Sequence, residues 1–375
     1  MHFLFFSLLI FYICRKVLPP VRALFLLFWV TCSPTIKAQD STSWLVMAPE
    51  KAFNFRNSQA KSLTPLSSIT KPWRLCTLYP HLKDSYWLSI NYGMSDQAKK
   101  LGVSLKVFAA DGYETLQPQM QQINECMDWK ADAILLGSVS YHALQLNIKN
   151  VSSHIPVFGL VNDISPEDIT GKVGVDWYQM GLKAGQFLAK KHPKNSKPAT
   201  LAWFSSPLSR GGSNPSERGL VDALKNSSIT IVARRYGDNA KAVKRDMVQE
   251  VLDSYPDINY LVGGAVMAEV AISELRLRRQ KNQTKIISTY LSHGVYRGLL
   301  RNKIEMANSD QMVLQGRMSI DQAIRFLEGK DPTSTLSFKD FGPEIIPLTP
   351  ENLSTVILEN SLSPANFHPV FELKQ

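Results

Sequence analysis

Residues 72–101, PWRLCTLYPHLKDSYWLSINYGMSDQAKKL, contain a short apolar run, a polar loop and a longer amphipathic segment in succession. The apolar run at 75–79 predicts a buried strand. Asp84 or Ser85 is placed to cap a following helix, which Gly102 would end. Apolar residues recur at helical spacing between the two ends: Trp87, Ile90, Met94, Ala98 and Leu101. Because ligands of open parallel sheets bind beyond the carboxyl ends of the strands, this loop is the first candidate for a ligand site.

Two adjacent aromatic residues, Tyr86 and Trp87, stand at the predicted start of that helix. With Asp84, they would lie at the rim of a cleft beside a helix N-terminus. In the alternative interpretation Trp87 packs the helix against the sheet and Tyr86 is a surface residue. This stretch alone favours neither interpretation.

The first 38 residues contain no Asp or Glu and carry two apolar runs interrupted by basic residues and prolines. This pattern predicts a secretory signal peptide cleaved after Ala38. Neither run reaches the roughly 20 apolar residues of a membrane-spanning helix. The doubled layout leaves two further possibilities open, a later translation start near Val17 or Val21 and an uncleaved N-terminal anchor.

Removal of this segment would lower the net charge from +10 to +6. The remaining basic residues are dispersed, apart from RLRRQK at 276–281, so the sequence argues against nucleic-acid binding. Cleavage would also leave only Cys76 and Cys126. Two cysteines in an oxidising compartment predict a disulfide, and no cysteine or histidine spacing suggests a metal site.

The length of the segment 39–375 suggests two domains. Residues 39–71 are polar and poorly periodic, which predicts an extended arm. Apolar runs and amphipathic segments then alternate regularly as far as about residue 330, and a tail of short apolar strands follows. Helices that separate buried strands predict an α/β fold with parallel sheets and right-handed crossovers.

Five blocks of sequence resemble the type I periplasmic binding proteins, the group that includes ribose-binding protein, and within it the sensors of trimethylamine N-oxide (TMAO). The blocks are LCTLYPHLKDSYWLSINYGM (75–94), ADAILLGS (131–138), KVGVDWYQMG (172–181), TYLSHGVYRGL (289–299) and MANSDQMVLQG (306–316). The resemblance implies a periplasmic bilobal protein with two Rossmann-like parallel-sheet lobes. It also implies a hinge of three segments, near 161–164, 287–290 and 308–312.

The implied lobes are each built from separate stretches of chain. They are an N-terminal lobe of 72–163 plus 288–309, a C-terminal lobe of 164–287 plus 310–345, and a C-terminal tail of 346–375 that packs on the lobes.

A TMAO ligand would need an aromatic cage for its methylated cationic nitrogen and hydrogen-bond donors for its oxide. Aromatic residues follow several predicted strands, and similarity to the TMAO sensors implies that they line the site: Tyr86, Trp87, Tyr113, Trp177 and Tyr290. Asp84 and Asp310 are further candidates, although Asp84 would equally cap its helix and Asp310 would equally fix the hinge.

No nucleophile motif, phosphate-binding loop or zinc-protease motif is present in the sequence. The sequence therefore predicts a binding protein without a cofactor. The resemblance implies docking on the periplasmic domain of the sensor histidine kinase TorS, which controls TMAO respiration. Two alternatives stay open: a receptor that delivers a sugar or quaternary amine to an ABC transporter, and an exported hydrolase on the same scaffold.

Overall fold

A computed structural model describes residues 43–278, 284–330, 339–355 and 357–375. The predicted signal peptide and the last residues of the basic run at 276–281 lie outside the described residues. Within the described ranges, no helix combines the length and apolarity needed to cross a membrane.

The described strands and helices alternate along most of the chain. The strands are β1 (Trp44–Pro49), β2 (Ser58–Leu63), β3 (Arg74–Tyr79), β4 (Ser104–Ala109), β5 (Ala133–Leu136), β6 (Val157–Val161), β7 (Gly171–Gly174), β8 (Ala199–Ser205), β9 (Ile229–Tyr236), β10 (Tyr260–Gly263), β11 (Lys285–Ser288), β12 (Met306–Ser309), β13 (Asp340–Phe341), β14 (Ile346–Leu348) and β15 (Glu372–Leu373). The helices are α1 (Ser85–Leu101), α2 (Gln117–Asp128), α3 (Gln145–Ser152), α4 (Trp177–Lys191), α5 (Ser213–Leu224), α6 (Lys241–Ser254), α7 (Ala265–Leu277), α8 (His293–Leu300), α9 (Met312–Leu327) and α10 (Leu358–Ser361).

The first lobe is built on a seven-stranded sheet in the order β13-β7-β6-β5-β3-β4-β15, in which β15 alone pairs antiparallel. Helices cover both faces, so strands β5 and β6 are buried along their whole length. On β3, Leu75 packs in the cluster that contains α1, whereas Cys76 lies in the cluster that contains α2. A disulfide joins Cys76 to Cys126 and ties β3 to α2, as the two cysteines predict.

The second lobe is built on a six-stranded sheet in the order β14-β12-β11-β10-β8-β9, and only β14 is antiparallel. Helices α4 and α5 pack closely on each other beside it. A Cβ on Gly181 would lie 1.7 Å from the Ser216 carbonyl oxygen, so only glycine permits this approach of the two helices.

The path of the chain between the lobes differs from the prediction. Strand β7 still belongs to the first sheet, so the first passage follows 174 rather than 161–164. Strands β11 and β12 both belong to the second sheet, so the assignment of 288–309 to the first lobe is wrong and no passage occurs near 287–290. A passage does occur near 308–312, but it leads from the second lobe to the first, because the next helix, α9, packs on α1. The assignment of 310–345 to the C-terminal lobe is therefore wrong for α9 and for β13, which pairs with β7.

The lobe assignments were wrong because a strand-helix-strand sequence pattern is the same whether its two strands belong to one sheet or to two. Sheet membership depends on pairing between strands that are distant in the sequence. Strand β13, which pairs with β7, and strand β14, which pairs with β12, show this most clearly.

The predicted extended arm is in fact an antiparallel hairpin of β1 and β2. Val46 and Ala48 are fully buried in a cluster with Val173 and Phe341. The Met47 backbone also pairs with Gly342 in both directions, at 2.7 and 3.1 Å. The hairpin therefore packs against the β13 edge of the first sheet. The tail adds β14 to the second sheet and β15 to the first.

Candidate functional site

A cavity of about 50 Å³ lies between the carboxyl ends of the strands of the two sheets. Its lining residues come from the segments that follow β3, β4, β6 and β7, from the last residues of β8, and from the segments that follow β8 to β11. One water needs about 10–15 Å³, so the cavity has room for a small ligand.

The first-lobe wall begins at the N-terminus of α1. Asp84 caps the helix, because its Oδ1 accepts hydrogen bonds from the backbone N–H groups of Tyr86 (3.1 Å) and Trp87 (3.3 Å). All three side chains also line the cavity, so the capping role and the cleft position of Asp84 coexist. The Trp87 ring fits against Gly137, where a Cβ would lie 2.7 Å from it.

Asp310 lies behind this wall rather than in the lining. The Tyr86 hydroxyl donates to its Oδ2 at 2.5 Å, and the Gln315 amide donates to the same oxygen at 2.9 Å. Burial raises the pKa of Asp310 to about 6, against the lowering effect of these two hydrogen bonds. Asp310 therefore orients Tyr86 from the hinge and has no direct access to the cavity.

Tyr113 and Asn162 complete the first-lobe wall. The Asn162 amide donates to the Tyr113 hydroxyl at 3.2 Å and to the Ser138 carbonyl at 2.8 Å. Burial raises the pKa of Tyr113, so its hydroxyl stays protonated at neutral pH. The Tyr113 backbone N–H donates across the cleft to Asp238 Oδ1 at 3.2 Å.

Two predicted aromatic residues stand on the second-lobe side. Trp177 opens α4 and is half-buried; its Nε1 donates to the Val161 carbonyl at 3.1 Å, and its ring lies against Gly212. Tyr290 packs edge-to-face on Tyr86, with ring centroids 5.1 Å apart. All five predicted aromatic residues therefore line one cavity.

Sequence reasoning missed several polar lining residues of the second lobe. They are Ser205, Ser206, Ser216, Asn239, Lys244 and Thr289. Lys244 lies in the first turns of α6, where a lysine is normally solvated, so its position gave no signal. Here its side chain is buried, and its Nζ donates to the carbonyls of Ser205 (2.6 Å) and Gly237 (3.0 Å). Burial lowers the pKa of Lys244 to about 8, which the nearby Asp238 partly opposes.

Direct contacts hold the two lobes together around the cavity. Asp238 Oδ2 lies 3.7 Å from Lys83 Nζ across the cleft. On another side, the loop at 209–212 accepts a hydrogen bond from Asp163 N–H at its Gly211 carbonyl (3.2 Å). Arg210 in the same loop donates to the Val139 carbonyl at 3.3 Å. This arrangement is a closed cleft.

Nothing in the described part of the chain groups three or more metal-ligating side chains. His81, the histidine nearest the cleft in sequence, is buried, does not line the cavity, and has a pKa that burial lowers.

Comparison with known proteins agrees with this architecture. A family described as periplasmic binding proteins and sugar binding domain of LacI family matches residues 72–339. Periplasmic protein TorT of Escherichia coli (strain K12) is 40% identical over 350 residues, which cover 93% of this chain and 96% of TorT.

Two solved structures are also similar. A TorS sensor domain–TorT complex in the presence of TMAO contains a chain with 45% identity and a TM-score of 0.72, covering 80% of this chain and 99% of that one. An ABC transporter solute binding protein from Bradyrhizobium sp. BTAi1 with bound bis-tris has 37% identity and a TM-score of 0.74, covering 88% of this chain and 98% of that one. The predicted α/β bilobal fold class is confirmed, and the chain belongs to the family of periplasmic binding proteins and sugar binding domains of the LacI family.

Proposed function

We propose that this chain is a periplasmic TMAO-binding sensory protein that docks on the periplasmic domain of the histidine kinase TorS. In this role it would control signalling to the TMAO reductase regulon. The observation that carries the proposal is the small, aromatic-walled interlobe cavity, in a chain 45% identical to TorT from a complex with TorS and TMAO.

The chemistry of the cavity supports a small methylated cation. Aromatic rings attract such a cation through their negative faces, by about 0.5–2 kcal/mol for each ring according to desolvation. Rings from both lobes face one small space: Tyr86, Trp87, Tyr113, Trp177 and Tyr290. A sugar site is built mainly around hydrogen bonds to many hydroxyl groups, whereas five of the residues that line this cavity are aromatic.

Signalling follows from closure of the cleft. A ligand that contacts both walls binds the closed form better than the open form, so it shifts the population toward closure. The docking surface for the kinase domain would then present segments of both lobes in a fixed relation.

The proposal includes binding without catalysis. The family consists of binding domains, and within the described residues no nucleophile, base and orienting group line the cavity together. A released ligand should therefore be chemically unchanged.

A transport receptor is the second candidate, because an ABC transporter solute binding protein shares 37% identity and the whole fold. The identity of the ligand separates the two proposals. A TMAO sensor binds the methylated N-oxide, whereas a transport receptor for sugars binds ribose or a related sugar.

The test is calorimetric titration of the protein, purified from the periplasm, with TMAO, glycine betaine and ribose. We expect heat from TMAO and none from ribose. A response to ribose without a response to TMAO would refute the sensory proposal and support the transport receptor. Recovery of bound TMAO unchanged after long incubation checks the absence of catalysis.

A further inference from the structure

The first-lobe wall of the cavity has few hydrogen-bond donors left for a ligand. Tyr86 donates its hydroxyl hydrogen to Asp310. The Tyr113 hydroxyl accepts a hydrogen bond from the Asn162 amide at 3.2 Å and lies 3.5 Å from the Asn162 Oδ1, which is a long distance for donation. The Asp84 carboxylate only accepts hydrogen bonds. This wall therefore offers a ligand aromatic faces, a carboxylate and one weakly engaged hydroxyl.

Donors without acceptors lie on the second-lobe wall. An ammonium group has three N–H bonds, and Lys244 uses two of them on the carbonyls of Ser205 and Gly237. Trp203 also lines the cavity, and its buried Nε1 has no acceptor among the described residues. A ligand with a strong acceptor would complete the hydrogen bonding of both groups.

The charge of Lys244 is also incompletely balanced. Its nearest acidic neighbour, Asp238, is engaged elsewhere, since Oδ1 accepts from Tyr113 N–H and Oδ2 faces Lys83. A buried ammonium without a fully committed counter-charge carries a desolvation penalty. The lowered pKa of Lys244 expresses this penalty. Such a group in a cleft is a candidate for ligand recognition.

We infer that Lys244 selects the N-oxide against its reduced amine by binding the ligand oxide from the second-lobe wall. Trp203 is the second donor, and the first-lobe aromatic residues with Asp84 receive the methylated cationic nitrogen. The ligand dipole then spans the cleft, so only a molecule that carries both charges contacts both walls and stabilises the closed form. This inference rests on the proposed function and deepens it.

Trimethylammonium is the informative comparison. It carries the same three methyl groups, lacks the oxide, and is protonated at neutral pH. In the orientation of TMAO its N–H would face the Lys244 ammonium in place of the oxide, and the two positive charges would repel each other. A sensor built this way responds to the oxidised compound and ignores the amine that remains after the oxygen is removed.

A purely structural role for Lys244 makes a different prediction. Its two hydrogen bonds join the end of β8 to the segment after β9, so loss of the side chain would then weaken binding of both ligands equally. The test is calorimetric titration of the wild-type protein and Lys244→Met with TMAO and with trimethylammonium chloride at pH 7. Lys241→Met, an exposed lysine on the same helix, is the matched control.

We expect the wild-type protein to prefer TMAO by about 100-fold or more, and Lys244→Met to lose about 10- to 100-fold in TMAO affinity, the range of a charge-assisted hydrogen bond. Its trimethylammonium affinity should be unchanged or higher, and Lys241→Met should behave as wild type. Equal loss for both ligands in Lys244→Met would overturn the inference.

The wild-type protein also tests the inference without any variant, which matters if Lys244→Met does not fold. Equal wild-type affinity for TMAO and trimethylammonium refutes this inference but leaves the proposed function standing. No wild-type binding of TMAO refutes the proposed function, and the inference falls with it.

Discussion

The two walls of the cavity differ in how firmly the fold holds them. On the first-lobe wall, Trp87 is only 2% exposed and packs on Tyr79 with ring centroids 5.3 Å apart, in the same cluster as Leu75. On the second-lobe wall, Trp177 is half-buried and rests on the glycine-containing loop before α5. The first wall is part of a hydrophobic core. The second wall also includes core residues, Phe204 and Tyr290, but adds the loop at 209–212 and the buried ammonium of Lys244.

This difference assigns the walls different tasks. A wall built into a core keeps its shape without ligand, and it can recognise methyl groups by fit. A wall of loop residues and buried donors completes its hydrogen bonds only when the ligand is bound and the cleft is closed. Each of the following experiments alters one wall and leaves the other unchanged.

Replacement of Trp87 by alanine should have the largest effect. It should abolish TMAO binding and also lower the free energy of unfolding by about 3–5 kcal/mol, because the side chain fills core volume. Because Trp87 is buried, this substitution weakens the fold as well as the site. Denaturant unfolding and calorimetry measure both effects.

Trp177→Ala is the matched variant on the other wall. Its half-buried ring should lose less stability than Trp87, while TMAO affinity falls about 10-fold. Equal destabilisation by the two substitutions would contradict the division between a core wall and a loop wall.

Removal of the disulfide should weaken the first lobe in particular. The bridge between Cys76 and Cys126 closes a separation of 50 residues, and the chain-entropy relation gives about 4 kcal/mol for such a loop. We expect the double Cys→Ala variant to lose about 2–4 kcal/mol, with hydrogen exchange rising first in β3 and α2. A uniform rise across both lobes would show that the lobes unfold as one unit.

Asp310→Asn tests the support behind Tyr86. Burial raises the folded pKa of Asp310 to about 6 from an ordinary value of 3.8, so the folded state binds this proton more tightly than the unfolded chain. The stabilisation is therefore full below about pH 4 and is lost as the pH rises through 6.

Asparagine stays neutral, so the unfolding free energy of Asp310→Asn relative to wild type should rise by on the order of 2 kcal/mol between pH 4 and pH 7. Asp340, whose pKa burial also raises to about 6, is present in both proteins and cancels in the difference. A difference that is constant with pH would contradict burial of an ionisable Asp310 behind the wall.

The pH dependence of TMAO binding tests the second wall and has the smallest expected effect. If the Lys244 ammonium donates to the oxide, ligand raises its pKa, and affinity is full below about pH 8 and falls as the pH rises further. We expect a loss of up to about 10-fold between pH 7 and pH 9. Buried Tyr86, Tyr113 and Tyr290 have raised pKa values and stay protonated throughout.

Calorimetry at both pH values measures this loss. Lys244→Met should show no loss, and Trp177→Ala should retain it. The same loss in Lys244→Met would place the titrating group elsewhere.

Much of the first wall could be predicted from sequence because its signals are local. A buried strand, a capping Asp84 and two aromatic residues follow one another within 13 residues at 75–87, and the structure places Tyr86 and Trp87 in the cavity. The paired cysteines were also recognisable, because only two remain after the predicted cleavage.

The second wall and the lobe assignment could not be predicted in the same way. Lys244 reaches the cavity only because β8 and β9 pair and bring the carbonyls of Ser205 and Gly237 together. Strand β12 was assigned to the wrong lobe because its partners β11 and β14 are identified by pairing, which leaves no local pattern. Features that depend on contacts between distant segments were the ones missed.

The most direct test of the central claim is the affinity of the TorS periplasmic sensor domain for this protein, measured by calorimetry with and without saturating TMAO. The account predicts that TMAO changes this affinity, and that the sensor domain changes the TMAO affinity by the same factor, because the coupling is reciprocal. Ribose should not change the affinity of the sensor domain in the same calorimetric experiment. Docking that is identical with and without TMAO, or no docking at all, would contradict the account.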